Sequence, residues 1–448
     1  MNKLKIGDYM NIMKEINKKQ CNCGKEHTFE SEVIVGKGVI NQLPQVLKKF
    51  NATKVFLIAD ENTFDAAGDK ICKILASSGM KMLSHIYSDE LLHPDETSVG
   101  SAIMHYKSDC DLILAVGSGV INDISKIVAN VSGKPYIIVA TAPSMDGYAS
   151  ATSSMTMDGL KISLDSKCAD VIIGDTDILC NAPMKMMLSG LGDMLAKCVS
   201  ICEWRISHLV NGEYYCEKVA QLVRSSLKKC VDNAEGLLRR DEIAVQSVFE
   251  GLIICGAAMK FAGMSRPASG VEHYLSHIWD MRGVAFGTAT ELHGIQCALG
   301  TLIAIKLYEK IRNISPNKQK AFEYAEDFKY CAWSEKLRNF LGKGAESMIS
   351  LEEKEQKYDL EKHRARFQVI FDNWDNIKQI MEDELPSYEY LENLFQKLGM
   401  PTTMKEIGMD EKILSMTFKA TKDIRDKYVL SRLAWDLGVI EDIIGEKI

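Results

Sequence analysis

The stretch Asp111-Leu-Ile-Leu-Ala-Val116, followed at once by Gly117-Ser-Gly-Val-Ile-Asn-Asp123, decides the fold. A short, continuous apolar run reads as a strand covered on both faces, and the glycines that close it read as a tight turn into a helix carrying Lys126. The same grammar recurs on either side. Val33-Ile-Val35, Lys54 to Ala59, Met82 to Tyr87 and Tyr136 to Ala140 are further apolar runs, and the segments between them (near Leu43 to Lys49, Asp65 to Ser78, Asp95 to Tyr106 and Val120 to Asn130) have helical periodicity. Alternation of this kind predicts a parallel α/β sheet. From about Pro183 strand signals stop and long helical patterns take over, as in Leu188 to Trp204, Tyr214 to Leu237, Ile243 to Ala262 and Gly294 to Ile311. The expected organisation is therefore an α/β domain over 1–182 and an all-helical domain over 183–448, with a strongly charged segment near 312–400 read as solvated surface helices.

With 448 residues, 46% of them hydrophobic, the chain is long enough for two well-filled cores. Its 54 Lys and Arg against 61 Asp and Glu give a net charge of -7, which excludes a global positive field of the kind that captures nucleic acid or anionic lipid. No run approaches about 18 consecutive apolar residues, and the amino terminus lacks the apolar core of a secretory signal, so the expectation is a cytoplasmic protein without a membrane or nucleic-acid partner. Most of the thirteen cysteines stand alone in apolar surroundings, which suits reduced thiols. The exception is Cys21-Asn-Cys23-Gly-Lys-Glu-His27, where two thiols and an imidazole lie close enough to hold a soft metal. Structural zinc normally takes four ligands and the C-x2-C spacing is absent, so a turn before the first strand is the favoured reading.

Three features converge on the carboxyl edge of the expected sheet. The Gly117 to Ile121 turn can let a pyrophosphate approach the backbone and the helix N-terminus, although glycines that merely permit a tight turn explain it equally well, and Asn122 departs from G-x-G-x-x-G. Asp60 closes the second strand, where a carboxylate accepts hydrogen bonds from a ribose and repels a 2′-phosphate, favouring NAD over NADP. Thr141-Ala-Pro-Ser-Met-Asp-Gly-Tyr-Ala-Ser150 is a hydroxyl-rich loop with one carboxylate, Asp146. The helical half holds Gly192-Asp193, then Ser265-Arg-Pro-Ala-Ser-Gly-Val-Glu-His273-Tyr-Leu-Ser-His277, then Glu291-Leu-His293-Gly294. His273 and His277 are one helical turn apart, and with Asp193 and His293 they offer three ligands for a divalent ion and one histidine to spare.

In this order these motifs resemble the iron-dependent alcohol dehydrogenase, glycerol dehydrogenase and dehydroquinate synthase superfamily, and within it most the bacterial sn-glycerol-1-phosphate dehydrogenases, over about Ser31 to Leu307. The resemblance implies a dehydroquinate synthase-like architecture: a dinucleotide-binding α/β domain, a helical domain and an active site in the cleft between them. It implies Asp193, His273 and His293 as ligands of one divalent metal ion, zinc or nickel. NAD or NADP contacts fall on Asp60, on Gly117, Ser118, Gly119, Val120 and Ile121, on Thr141, Ala142, Pro143 and Ser144, and on Ser150. Asp146 and His277 match substrate contacts and, with Asp193, the catalytic set. Arg266 is a candidate for the phosphate of dihydroxyacetone phosphate, or else a helix-capping or domain-linking arginine. A homodimer is the expected assembly. The alternatives are a glycerol or small-polyol dehydrogenase, a lyase like dehydroquinate synthase, and a non-catalytic nucleotide-binding protein of the same fold. The Cys21 to His27 element is similar to one in bacterial relatives.

Overall fold

The computed structural model describes residues 21–88, 92–158 and 160–445. Residues 1–20, read above for a secretory signal, lie outside the described residues. In chain order the strands are β1 Glu32–Gly36, β2 Lys54–Asp60, β3 Lys81–Tyr87, β4 Leu112–Gly117, β5 Tyr136–Ala140, β6 Thr152–Met157, β7 Leu160–Asp165 and β8 Val171–Asp175. The principal helices are α1 Asp69–Ser77, α2 Glu96–His105, α3 Gly119–Ser132, α4 Met184–Leu195, α5 Lys197–Asn211, α6 Glu217–Asp232, α7 Glu242–Ala262, α8 Val271–Phe286 and α9 His293–Arg312.

Six strands form one parallel sheet in the order β1-β8-β5-β4-β2-β3. Strands β4, β5 and β8 are buried at every position, as their uninterrupted apolar runs require. The chain leaves β2 toward β3 on one side and β4 toward β5 on the other, so the order reverses between β2 and β4. At such a switch point the two outgoing loops diverge and leave a crevice at the carboxyl ends of the strands. Asp60 and Gly117 are the last residues of those two strands.

Two strand elements escape the sequence reading. Thr152–Met157 and Leu160–Asp165 pair as an antiparallel hairpin whose serines, threonines and charged residues leave little apolar signal. β8 has only five residues and a three-residue Val-Ile-Ile core. The expected helix from Leu188 to Trp204 is in fact two, α4 and α5.

By packing, the chain forms two compact units, 1–194 with 221–264, and 195–220 with 265–448. The boundary expected at 182/183 follows element type, whereas α7 returns to the sheet. Its Phe249 ring meets Tyr148 at 5.6 Å, and Gly256 lies against Ala149 and the Asp146 carbonyl. By length and composition α7 is apolar enough to cross a bilayer, yet most of it is buried inside the first unit. Burying each of its large apolar side chains contributes roughly 1.5–3 kcal/mol, which explains that composition without a membrane.

In the second unit the segment beyond Arg312 is helical as expected, and it is more than a solvated surface. Phe328 stacks on Tyr358 at 3.8 Å, with Trp333 and Trp435 on their edges. Beneath them Asp423 accepts from Trp333 Nε1, Tyr358 Oη, Lys422 Nζ and Arg432 Nη2. Burial raises the Asp423 carboxyl, but Lys422 and Arg432 outweigh it and hold the group below its ordinary range. Arg266 is a second buried anchor. Its Nε donates to Glu213 at 2.8 Å, Nη2 lies 2.6 Å from the other Glu213 oxygen and donates to Ser207 Oγ, and Nη1 donates to the Tyr428 carbonyl. Replacing Arg266 by Leu leaves the Glu213 carboxylate without its buried cation. Urea denaturation should show the variant less stable by about 3–5 kcal/mol.

Candidate active site

In the first unit the carboxyl edge of the sheet is organised by α3. Ser118, its N-cap residue, makes no side-chain cap, and Gly119 to Ile121 form the first turn, whose N–H groups have no partner within the helix. Asn122 stands where the dinucleotide fingerprint has glycine, and its side chain explains why. It accepts from Tyr136 Oη at 2.9 Å and donates to the Gly147 carbonyl at 3.2 Å. Lys126, one turn further and fully buried, donates to the Gly147 and Thr152 carbonyls at 2.5 and 3.0 Å and lies 3.6 Å from Asp123. Both residues tie α3 to the loop after β5.

That loop is held from its other side by α4. Ser189 Oγ donates to the Ser144 carbonyl at 3.0 Å, and Asp193 Oδ2 accepts from the Asp146 backbone N–H at 2.9 Å. Between them Gly190 sits so close to the loop that a Cβ there would meet the Pro143 carbonyl oxygen at 1.8 Å. Ser189 and Asp193 are one helical turn apart, so a single face of α4 follows the loop from Pro143 to Asp146. Thr141 donates its backbone N–H to the Gly117 carbonyl, and Tyr148 Oη donates to the Ala142 carbonyl. Asp60 accepts from the Thr63 N–H at 2.8 Å within a capping box. Ser150 is half-buried with its Oγ 2.9 Å from Thr152 Oγ1.

In the second unit α8 and α9 bring three imidazoles together. The ring centroids of His273 and His293 are 5.2 Å apart, and those of His277 and His293 are 6.0 Å apart. The crossing is close because Gly300 of α9 faces the Glu272 backbone, where a Cβ would come within 2.6 Å of the carbonyl oxygen. Glu272 Oε1 lies 2.8 Å from His273 Nδ1. A carboxylate there accepts a hydrogen bond from Nδ1–H and leaves the Nε2 lone pair to a metal ion, an arrangement common to histidine-ligated centres. Ser276 Oγ lies 3.2 Å from His293 Nδ1. Behind the cluster Glu203 accepts from the Val271 and Leu430 N–H groups, and burial, reinforced by the Glu272 charge, pushes its carboxyl upward.

The sequence reading missed Cys297, taken there for a small hydrophobe. Its Sγ lies 3.5 Å from His293 Nε2, and ligand atoms of His273, His293 and Cys297 all lie within 4.8 Å of one another. Burial raises this thiol, yet the two histidines beside it bring it below its ordinary value. The signal was its place four residues after His293, one turn along the same helix. The donor set of the second unit thus fits a divalent ion. Of the expected residues, His273, His277 and His293 meet in the second unit, and Asp146 and Asp193 meet in the first. Arg266 is buried with its guanidinium engaged by Glu213, Ser207 and the Tyr428 carbonyl, contacts of the kind a linking arginine makes.

Residues 34–183 match the iron-containing alcohol dehydrogenase family. The chain is 28% identical to the glycerol-1-phosphate dehydrogenase [NAD(P)+] of Halalkalibacterium halodurans, covering 92% of this chain and 94% of the relative. It is 31% identical to that of Bacillus velezensis, covering 66% of this chain and 77% of the relative. Among solved structures, glycerol dehydrogenase from Schizosaccharomyces pombe superposes with a TM-score of 0.60 at 19% identity, covering 94% of this chain and 91% of that one, a likeness of fold. With its parallel sheet, its helical second unit and these relatives, the chain belongs to the glycerol-1-phosphate dehydrogenase family of oxidoreductases, within the iron-containing alcohol dehydrogenases.

Proposed function

We propose that this protein catalyses the reversible, NAD(P)-dependent reduction of dihydroxyacetone phosphate to sn-glycerol 1-phosphate, with Asp193, His273 and His293 holding one divalent ion, zinc or nickel. The observation that carries this reading is the imidazole cluster on α8 and α9, backed by Glu272, in a chain similar over nine-tenths of its length to a glycerol-1-phosphate dehydrogenase. In the reaction a hydride passes from the nicotinamide to the ketone carbon and a proton is added to its oxygen. A bound divalent ion supplies Lewis-acid stabilisation of the negative charge that develops on that oxygen.

The protein's own groups do the rest. The first-turn amides of α3 and the Gly117 to Ile121 turn bind the pyrophosphate, the Thr141 to Ser144 segment and Ser150 line the nucleotide, and Asp60 accepts from a ribose hydroxyl with the oxygen its capping box leaves over. Asp146 and His277 orient the substrate hydroxyls and pass the proton to the product oxygen. Glu272 keeps the Nδ1 proton of His273 in place, fixing the tautomer in which Nε2 can ligate. A homodimer in the cytoplasm completes the reading.

The test is NADH oxidation by metal-replete and chelator-treated protein with dihydroxyacetone phosphate, dihydroxyacetone alongside, and chiral analysis of the product. Chelator-sensitive turnover of the phosphate ester to the sn-1 isomer is expected, and His273→Ala should abolish it. Turnover of dihydroxyacetone alone would move the protein to the polyol dehydrogenases, and no NADH consumption would refute the reading. Exchanging Glu272 for Gln should weaken metal affinity about 10–100-fold in a competition titration, with zinc restoring turnover at higher concentration. Gly190→Ala must displace the Pro143 carbonyl, so the KM for NADH should rise by ~10-fold or more while metal content stays unchanged.

A further inference from the structure

The segment before β1 holds a motif that the dehydrogenase reaction does not use. Cys21, Cys23 and His27 offer ligand atoms that all lie within 4.8 Å of one another. The chain reverses tightly to bring them there: the Gly24 N–H donates to the Cys21 carbonyl at 3.0 Å, the Cys21 N–H donates to the Lys25 carbonyl at 3.1 Å, and Gly24 adopts a φ of +84° that favours glycine. Cys21 and His27 face inward, 7% and 0% exposed, Cys23 is half-buried, and the tip of the turn between them is exposed.

The orientation of His27 is set from behind. Its Nδ1 lies 2.9 Å from the Phe261 carbonyl oxygen, which can only accept, so the proton sits on Nδ1 and the lone pair on Nε2. That lone pair faces Cys23, with Nε2 and Sγ 3.5 Å apart. A tetrahedral zinc ion, with bonds of about 2.3 Å to sulfur and about 2.0–2.1 Å to imidazole nitrogen, sets its S and N ligands roughly 3.5 Å apart. A backbone carbonyl accepting from the far nitrogen is also a usual partner of a ligating histidine. A thiol hydrogen bond to Nε2 would explain one distance, but not a second, buried thiol gathered onto the same buried imidazole. Two thiolates and a neutral imidazole around a divalent ion give a neutral unit, which a buried site favours.

We propose that Cys21, Cys23 and His27 supply three ligands of a four-coordinate structural zinc site, separate from the ion of the dehydrogenase reaction. The site fastens the segment before β1 to the C-terminal end of α7. Lys25 Nζ donates to the Ala262 carbonyl at 3.2 Å, and the Phe261 ring packs against His27 at 5.5 Å and Phe29 at 6.4 Å. Its role is to hold the chain where it enters the sheet.

The experiment is zinc reconstitution of the metal-free full-length protein, with elemental analysis of the wild type, Cys23→Ser and His273→Ala. Cys23 is only half-buried, so serine is a mild change there. Cys23→Ser should hold one zinc equivalent fewer than the wild type, and His273→Ala should retain zinc that Cys23→Ser lacks. As a check independent of that variant's folding, cobalt-loaded His273→Ala/Cys297→Ala protein should show thiolate-to-cobalt charge-transfer absorption and tetrahedral ligand-field bands. Equal zinc in wild type and Cys23→Ser, or cobalt spectra without thiolate absorption, would overturn the site. Neither readout depends on dehydrogenase turnover, so failure of the catalytic reading leaves the outcome interpretable.

Discussion

The ammonium group of Lys126 is fully buried, and the carboxyl edge of the sheet takes its form around it. A charge in that position is tolerated only when acceptors surround it, and here the Gly147 and Thr152 carbonyls and the Asp123 carboxylate do so. Two of those acceptors belong to the chain just after β5. The loop from Thr141 to Ser150 therefore cannot drift from α3 without stranding a buried cation. Because the loop is fixed, its Asp146 N–H can meet Asp193, and because Asp193 lies one turn from Ser189, α4 is registered on the same loop. Candidate catalytic carboxylates are positioned here by backbone carbonyls gathered around a lysine.

The second unit solves the same problem with carboxylates. Arg266 is neutralised by Glu213, and Asp423 by Lys422 and Arg432. The Glu203 and Glu272 pair differs, since two acids lie close with their nearest donors mostly backbone N–H groups, and burial with mutual repulsion raises Glu203. Glu203 is the acid whose charge its surroundings disfavour, and Glu272 Oε1 stands 2.8 Å from His273 Nδ1.

The sequence made legible whatever depended on local periodicity. The buried strands were apolar runs, the Gly117 turn stood between a strand and a helix, and the i, i+4 spacing of His273 and His277 placed both on one side of α8. What it hid depended on partners remote in the chain. The polar hairpin from Thr152 to Asp165 carries no strong apolar alternation. Nothing near Arg266 in sequence announces Glu213 or Tyr428, so the choice between a phosphate donor and a linking arginine stays open there. The return of α7 to the sheet was invisible for the same reason: its composition shows that it is buried, but not against what. Cys297 was within reach, one turn from His293, and was passed over because a thiol in an apolar helix usually serves as filler.

Cys297 also bears on which ion the family site would hold. Two imidazoles are borderline donors that serve zinc and nickel well, and a carboxylate accepts almost any divalent ion, so this set alone discriminates weakly. In the proposed site a thiol whose sulfur lies 3.5 Å from His293 Nε2 changes the balance, because the two histidines beside it lower its affinity for its own proton. Hard cations such as magnesium gain little from sulfur or from imidazole, whereas zinc and nickel gain from both. The softness of this corner of the second unit, set by one residue on the inner face of α9, argues for a thiophilic or borderline metal before any contribution from Asp193 is counted.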